Sequence, residues 1–428
     1  MKQYLSAITI LSLSLLNAGE FQPLGGKSIS MGGVGVASAS GSLAGYYNPA
    51  LLTQTKGVEV SLGLGLSIRE SNIGEQIDTL SDMELNNVVD RIAKNAPRAG
   101  SNSSSDTKNI IEAQKILKDI GDENGISIMP TGHLGVQYDN MAIGMYMSSE
   151  VVVSANIDKM HTDLIVKDNN GGYYSYDAQN DKYRVSNRTD YERSSLQYAL
   201  DNKTTSVDAK GLILTEVPVS YAQAFNLPIG ELSVGVSVKL MHGTTYIQSL
   251  DIDSEDSTDI DKLKENQEDS ENIGLDLGLL FKPTALPKLK IGLVAKNLNT
   301  PSFDLSTGGS IKADLQVRTG LQYSLINSLD VAMDLDLTSN KTLINGYDSQ
   351  MFGAGVNYHP LSWFALRAGV MQNLANSNEG LVYTTGIAFG PEQFQLDISA
   401  QMSDKTGSYD GEDIPKYAKF NVALVSKW

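Results

Sequence analysis

The side chains best suited to acid–base or metal chemistry in this sequence are His133, His161, His242 and His359, and their intervals match no metal-ligand or catalytic pattern. Cysteine is absent, which removes thiolate nucleophiles, Cys-based zinc sites, disulfides and a lipid-modified Cys after a leader. Neither a G-x-S-x-G elbow nor a P-loop occurs. An acidic run, Asp251, Asp253, Glu255, Asp256, Asp259 and Asp261, invites a calcium reading. As an EF-hand it fails, because Asp256 stands where the turn needs Gly and Lys262 where a bidentate Glu belongs. Loose divalent binding by loop 250–271 stays open. The glycines of Met31-Gly32-Gly33-Val34-Gly35-Val36-Ala37 do not make a dinucleotide loop, since no strand precedes them and no βαβ unit follows. The sequence nominates no catalytic residue, no metal centre and no cofactor.

What chemistry remains is a set of charges placed singly in apolar segments: Lys239, Asp276, Lys296, Arg318, Asp330, Asp334, Asp336, Arg367 and Asp397. They fall on the polar face of a two-residue period. Leu329, Val331, Met333, Leu335 and Leu337 oppose Asp330, Ala332, Asp334, Asp336 and Thr338. Phe394, Leu396, Ile398, Ala400 and Met402 oppose Gln395, Asp397, Ser399, Gln401 and Ser403. Strand side chains point alternately to opposite faces, so this repeat means two environments. With lipid on one side and a polar lumen on the other, the product is a transmembrane β-barrel. Mixed signs on the inner face predict ion pairs that fix an inner segment against the wall.

The period predicts fourteen strands near 57–69, 128–139, 141–156, 209–225, 231–249, 272–283, 288–299, 311–326, 328–340, 350–359, 362–374, 380–390, 392–404 and 415–428. In the last of them Phe420, Val422, Leu424 and Trp428 share one face. Every second connection is short, as at Asp139-Asn140, Ile326-Asn327-Ser328 and His359-Pro360-Leu361. The others are longer and polar. Short turns alternating with long loops is the outer-membrane barrel pattern, which a soluble sandwich does not need. No propeller-like repeat is visible. Tyr323, Tyr358, Trp363, Tyr383, Phe389, Tyr417 and Trp428 lie near strand ends, as aromatic girdles require.

Bulk properties agree. A hydrophobic content of 41% and a mean hydropathy of -0.18 are too polar for a helical membrane protein and suit a barrel whose two faces average out. A net charge of -17 excludes nucleic acid as a partner. Met1 to Ala18 reads as a secretory signal peptide, with Lys2, an apolar run from Tyr4 to Leu16, and Leu16-Asn17-Ala18 at the cleavage site. No later stretch approaches the roughly 20 apolar residues of a spanning helix. Signal and strands together place the chain in the outer membrane of a Gram-negative bacterium, with outer-membrane lipid around it.

Three regions are not wall. Residues 19–56 are rich in Gly, Ala and Ser and end on Tyr46-Tyr47-Asn48-Pro49-Ala50-Leu51, where Asn48-Pro49 is a turn signal and Pro49 opens a short helix. Small residues permit close packing in a confined space, so this segment is read as a plug inside the barrel. Residues 74–125 carry Ile77, Leu80, Leu85, Val88, Val89 and Ile92, then Ile110, Ala113, Leu117 and Ile120, at helical spacing, with Asp106 as the N-cap. This is an amphipathic helical hairpin in the first extracellular loop, its stripe either a packing face or a gate for an apolar ligand. Residues 157–208 hold Tyr173, Tyr174, Tyr176, Tyr183, Tyr191 and Tyr198 among many charges and read as a solvated outside loop rather than a receptor site. The fold is thus all-β: a 14-stranded antiparallel transmembrane β-barrel (57–428) with an N-terminal plug and a helical insertion.

Met31 to Ala39 followed by Tyr47-Asn48-Pro49-Ala50-Leu51 resembles the N-terminal plug motif of the FadL-type superfamily of outer-membrane transporters. A nearer likeness is the TraF-like barrel family, named after conjugal plasmid transfer. It is carried by Val217-Pro218-Val219-Ser220-Tyr221, Leu232 to Leu240, Ile291-Gly292-Leu293-Val294-Ala295-Lys296-Asn297-Leu298, Leu366-Arg367-Ala368-Gly369-Val370, and the helical insertion. The resemblance implies a hydrophobic small molecule, a fatty acid or an aromatic hydrocarbon, bound beside the plug and released sideways through the wall. The ligand-binding candidates are then Met31, Val34, Val36, Leu43, Tyr46, Tyr47, Asn48, Pro49, Ala50 and Leu51. The helical insertion and the luminal charges depart from the fatty-acid transporters. The other reading is a component of an envelope secretion or conjugation assembly, with a protein partner on segments 74–125 and 157–208. Neither reading is enzymatic.

Overall fold

The computed structural model describes residues 16–17, 19–95, 97–250, 252, 266–409 and 412–428. Most of the expected signal peptide and all the carboxylates of the acidic run at 251–261 lie outside the described residues. Fourteen antiparallel strands form one closed barrel in which each pairs with its sequence neighbours and the last with the first. They are β1 Val58–Ser71, β2 Gly125–Tyr138, β3 Met141–Asn156, β4 Ser206–Leu227, β5 Gly230–Leu250, β6 Gln267–Pro283 and β7 Leu289–Lys296. The circuit continues with β8 Gln316–Ile326, β9 Leu329–Asp336, β10 Met351–Leu361, β11 Phe364–Asn373, β12 Leu381–Phe389, β13 Gln395–Ser403 and β14 Tyr417–Lys427.

The strands β7, β8 and β9 are shorter than the period predicts. Asn297 and Thr300 adopt left-handed backbone, with φ of 57° and 46°, and turn the chain out of the ladder. Residues 302–304 then pair with 310–312 as a small hairpin. Its Phe303 is buried with Met241, Leu212, Leu343 and Tyr347. A Cβ on Gly243 of β5 would overlap the Phe303 ring, so this hairpin folds over the barrel mouth against the wall.

Outward rows are apolar and exposed, for example Leu62, Leu64 and Leu66 on β1 and Leu240, Val238 and Val236 on β5. A continuous exposed apolar surface of that extent marks contact with lipid rather than water. Tyr138, Phe225, Tyr358, Trp363, Phe389 and Trp428 ring the end of the barrel that carries the short turns. Tyr417 departs from the expected girdle: it points inward, is buried, and lies 5.6 Å from the Arg69 guanidinium. Among the described residues no helix is long and apolar enough to cross a membrane.

Beyond the loop end lies a folded cap. Helices Gly74–Asp82, Leu85–Lys94 and Ser105–Asp119 pack Leu80, Leu85, Val88, Val89, Ile92, Ile110 and Leu117 into one core. Ser104, not Asp106, caps the third helix by accepting from the Thr107 N–H at 3.1 Å, which leaves Asp106 free to pair with Arg91. Residues 157–205 are not an open solvated loop. They form a three-stranded sheet (165–167, 173–177, 182–185) and two short helices, and bury Leu164, Val166, Tyr183, Leu196 and Leu200 in the same core. A tyrosine-rich polar sequence hides this because only alternate side chains face the helices.

Candidate functional site

The lumen is occupied by the segment between Gly19 and Gln54. It enters at the loop end, where the Gly19 N–H donates to the Lys341 carbonyl at 3.0 Å and Glu20 pairs with Arg69. A helical turn, Gly26–Ser30, leads to Gly32 and Gly33, both with left-handed backbone (φ 78° and 77°). That reversal carries Val34–Val36 along the wall, and Gly35 and Val36 donate their N–H groups to Asp334 Oδ2 at 2.7 and 2.9 Å. Asn48 sits in extended backbone and caps the following turn, accepting from the Ala50 N–H at 3.1 Å, with Pro49 at the first position as expected. Its amide donates to the Val36 carbonyl at 2.9 Å and to the Leu279 carbonyl of the wall at 3.0 Å.

This segment touches the wall backbone to backbone because the inner face is locally glycine. A Cβ on Gly235 would meet Pro49 and Ala50, one on Gly278 would meet Asn48 and Pro49, and one on Gly292 would meet Val36. Further hydrogen bonds tie it to Thr384, Gln401 and Lys419. At its centre Phe21, Tyr46, Tyr47 and Tyr146 form an aromatic cluster with centroids 5.1–5.5 Å apart. Their hydroxyls all find backbone partners: Tyr46 donates to the Gln22 carbonyl, Tyr47 to Leu24 and Tyr146 to Ser42. The Lys296 ammonium lies 3.7 Å from the Tyr46 ring centroid, a cation–π contact.

The ten candidate residues are distributed as follows. Tyr46 borders a cavity of about 60 Å³ toward the loop end, with Glu20, Gln22, Glu150, Glu216, Lys296 and Gln316. Val34, Leu43 and Tyr47 border one of about 80 Å³ toward the turn end, with Lys27, Glu59, His133, Arg367 and Asp397. Charged side chains border both, and in the second neither ring nitrogen of His133 has a hydrogen-bond partner among the described residues. Met31, Val36, Asn48, Pro49 and Ala50 lie against wall glycines, and Leu51 packs with Leu52, Ala142, Ala222 and Leu280. An apolar cavity that binds benzene measures about 150 Å³, so neither chamber accommodates a hydrocarbon in this conformation.

The charges pair differently from the sequence expectation. Lys239 donates to Glu216 at 2.5 Å and sits 3.1 Å from Asp276; Arg318 pairs with Asp336, and Arg367 with Asp397 at 2.6 Å. These are wall-to-wall contacts. The inner segment is held by one of those charges, Asp334, by Arg318 donating to the Gly33 carbonyl at 3.5 Å, and by Arg69, Lys419, Thr384 and Gln401. Arg69 and Lys419 were legible as inward positions of clean strands, whereas Thr384 and Gln401 carry no distinguishing signal. Among the described residues no group of three or more His, Asp or Glu side chains is placed to hold a metal.

The wall ladder is interrupted where prolines fall in it. Pairing of β2 with β3 skips Met129 and Pro130, and pairing of β3 with β4 skips Val217 and Pro218. Proline lacks the N–H that the ladder needs, so β3 is unzipped from both neighbours over short stretches. At β10 and β11 the register is unbroken, but the wall is thin where Gly355 faces Gly369.

A sequence profile for the family described as "F plasmid transfer operon, TraF, protein" matches residues 45–358. No curated protein is similar enough in sequence to register as a relative. Among solved structures, the CymD monoaromatic hydrocarbon channel is 15% identical, aligned over 96% of this chain and 99% of its own with a TM-score of 0.52. The P. putida toluene transporter TodX is 12% identical, with 96% and 99% coverage and a TM-score of 0.50. A Pseudomonas aeruginosa FadL homologue is 11% identical, with 94% and 98% coverage and a TM-score of 0.44. The chain belongs to the TraF family, and its closed fourteen-stranded barrel shares its fold with the CymD channel.

Proposed function

We propose that the protein admits an apolar small molecule passively across the outer membrane of a Gram-negative bacterium, with residues 19–56 as its plug. The observation that carries this reading is the lumen, occupied by a segment seated backbone to backbone on wall glycines and bordered by cavities of only about 60 and 80 Å³. A pore for polar solutes needs an open aqueous channel, whereas an apolar solute can cross where the wall or plug yields locally. The folds of a toluene transporter and a monoaromatic hydrocarbon channel support the same class of substrate. Met31, Val34, Val36, Leu43, Tyr46, Tyr47, Asn48, Pro49, Ala50 and Leu51 are the residues whose displacement opens the path. Proteoliposomes loaded with an apolar sink test this: labelled toluene enters saturably and faster than through protein-free vesicles, while labelled glucose does not. Equal permeation by glucose and toluene would sink the reading.

A second reading, an envelope assembly component, is favoured by the cap, whose folded core presents a large surface outside the membrane. Crosslinking on intact cells that traps a discrete protein partner on residues 74–119 or 157–205 supports it; recovery of the barrel alone counts against it.

A further inference from the structure

A large apolar recess lies outside the lumen. An open groove of about 690 Å³ runs along the membrane-facing side of β8–β12. Its floor is small: Ala354 of β10 and Ala368 of β11 point outward between bulkier neighbours. Ladder register sets its sides. Met333, Ala354, Val370 and Tyr383 lie in one row across β9–β12, and Leu321 extends that row on β8. Tyr323, Val331, Val356 and Ala368 form the next row toward the turn end.

The floor is also one backbone thick. Gly355 and Gly369 are cross-strand partners facing inward, and a Cβ on either would come within 2.5–2.7 Å of Met31 or Gly32. The Gly32 N–H donates to Thr384 Oγ1 at 2.9 Å, and that hydroxyl donates to the Ser30 carbonyl at 2.9 Å. The plug's reversal at Met31-Gly32 therefore lies directly behind the groove.

We infer that this groove is a binding site for an aromatic hydrocarbon dissolved in the bilayer. The inference rests on the uptake reading and places the substrate at the wall rather than in either luminal chamber. Three features select the occupant. The groove lies within the apolar belt, so whatever fills it arrives through lipid. Open to the bilayer along its length, it leaves room for a ring over its Ala354 and Ala368 floor, which luminal chambers of about 60 and 80 Å³ do not. Tyr323, Tyr383 and Met333 on its sides offer edge-to-face and sulfur–aromatic contacts, which favour a ring over a saturated chain.

The test is photolabelling of the full-length mature protein in phosphatidylethanolamine–phosphatidylglycerol vesicles with 3-trifluoromethyl-3-phenyldiazirine. Label should concentrate in peptides spanning 351–373, toluene should displace at least three quarters of it saturably, and Ala368→Trp should lower it about tenfold. Should that variant misfold, displacement from the wild-type protein decides the matter by itself. Label spread evenly over other outward positions such as Leu240 and Phe420, or label that toluene does not displace, means that lipid chains fill the groove and overturns the inference. Toluene entry measured in the same vesicles separates the two ideas: absent saturable entry defeats the uptake reading, whereas undisplaced label with entry intact defeats only the groove.

Discussion

Arg69 of the first strand and Glu20 of the plug form a two-pronged ion pair, the guanidinium Nη1 and Nη2 donating to the two carboxylate oxygens at 2.8 Å each. The third nitrogen, Nε, donates to Glu379 in the loop after β11, and the Tyr347 ring lies 4.9 Å from the guanidinium carbon. One buried side chain thus ties the wall, the start of the plug and an outside loop together.

Removing Arg69 strands two buried carboxylates, Glu20 and Glu379, without their cation. Breaking a buried pair from one side costs about 3–5 kcal/mol. Arg69→Met should lower the thermal transition of the detergent-solubilised barrel and expose residues 19–24 to protease. Glu20→Gln, which keeps the shape and one acceptor, should do less. Unchanged protease exposure of residues 19–24 in Arg69→Met would show that the pair does not anchor the plug.

The wall glycines make a sharper prediction. The Cβ of Gly235→Ala would fall on the backbone of Pro49 and Ala50, atoms that cannot swing aside as the end of a long side chain would. The plug should shift, and planar-bilayer recordings should show a conductance absent from the wild type. Gly132→Ala places its methyl on the outer face near Leu64 and serves as the control, with no added conductance. A silent Gly235→Val would refute seating by close approach.

The barrel was legible because its signal is repeated fourteen times and each repeat is set by lipid on one side and polar groups on the other. Asn48-Pro49 was legible because a cap and a proline act locally. What stayed hidden is long-range. The partners of Asp334 are backbone N–H groups of Gly35 and Val36, about 300 residues away in the chain, and no side-chain type marks a backbone donor. The inward turn of Tyr417 was missed because an aromatic near a strand end suits a girdle equally well. The cap at 157–205 was missed because its core is shared with helices far earlier in the sequence.

Asn48 gives a test within the plug. Asn48→Ala removes the cap on Ala50 and leaves the Val36 and Leu279 carbonyls without their donor. Each buried group left unpaired costs about 1–3 kcal/mol. Asn48→Asp keeps the cap but donates to neither carbonyl, so it should rescue little. Hydrogen exchange of residues 34–54 should accelerate in both variants while the strand amides stay protected. Unchanged exchange in Asn48→Ala would show that the amide's bonds are dispensable.

The cap should yield independently of the barrel. Leu117 is fully buried among Val88, Ile92 and Tyr183, and Leu→Ala at such a site costs about 2–5 kcal/mol. Leu117→Ala should open 74–119 and 157–205 to trypsin together, since they share one core. Heat-modifiable gel migration, which reports the closed barrel, should persist. Loss of both at once would mean that the cap is part of the barrel's folding unit.

The cap also carries a pH-sensitive contact. His161 holds two acceptors, Asp158 Oδ2 at 2.7 Å from Nδ1 and the Glu192 carbonyl at 3.0 Å from Nε2. A neutral imidazole has one N–H and can serve only one of them, whereas the cation serves both. Partial desolvation opposes the charge, but these hydrogen bonds and the Asp158 carboxylate outweigh it and raise the ring above its ordinary 6.5. Asp158 is lowered from 3.8: desolvation pushes it up, and the His161 contact outweighs that. The stability from His161 is fully present below the ordinary imidazole value and fades as pH rises through the raised one. That from Asp158 is fully present above the ordinary carboxylate value and fades as pH falls through the lowered one. Both act fully between about pH 4 and 6.5. Protease resistance of 157–205 should therefore be greatest in that window and decline as pH rises beyond it, and His161→Gln should flatten that decline. An NMR titration placing the His161 ring at or below the ordinary imidazole value would remove the basis for this switch.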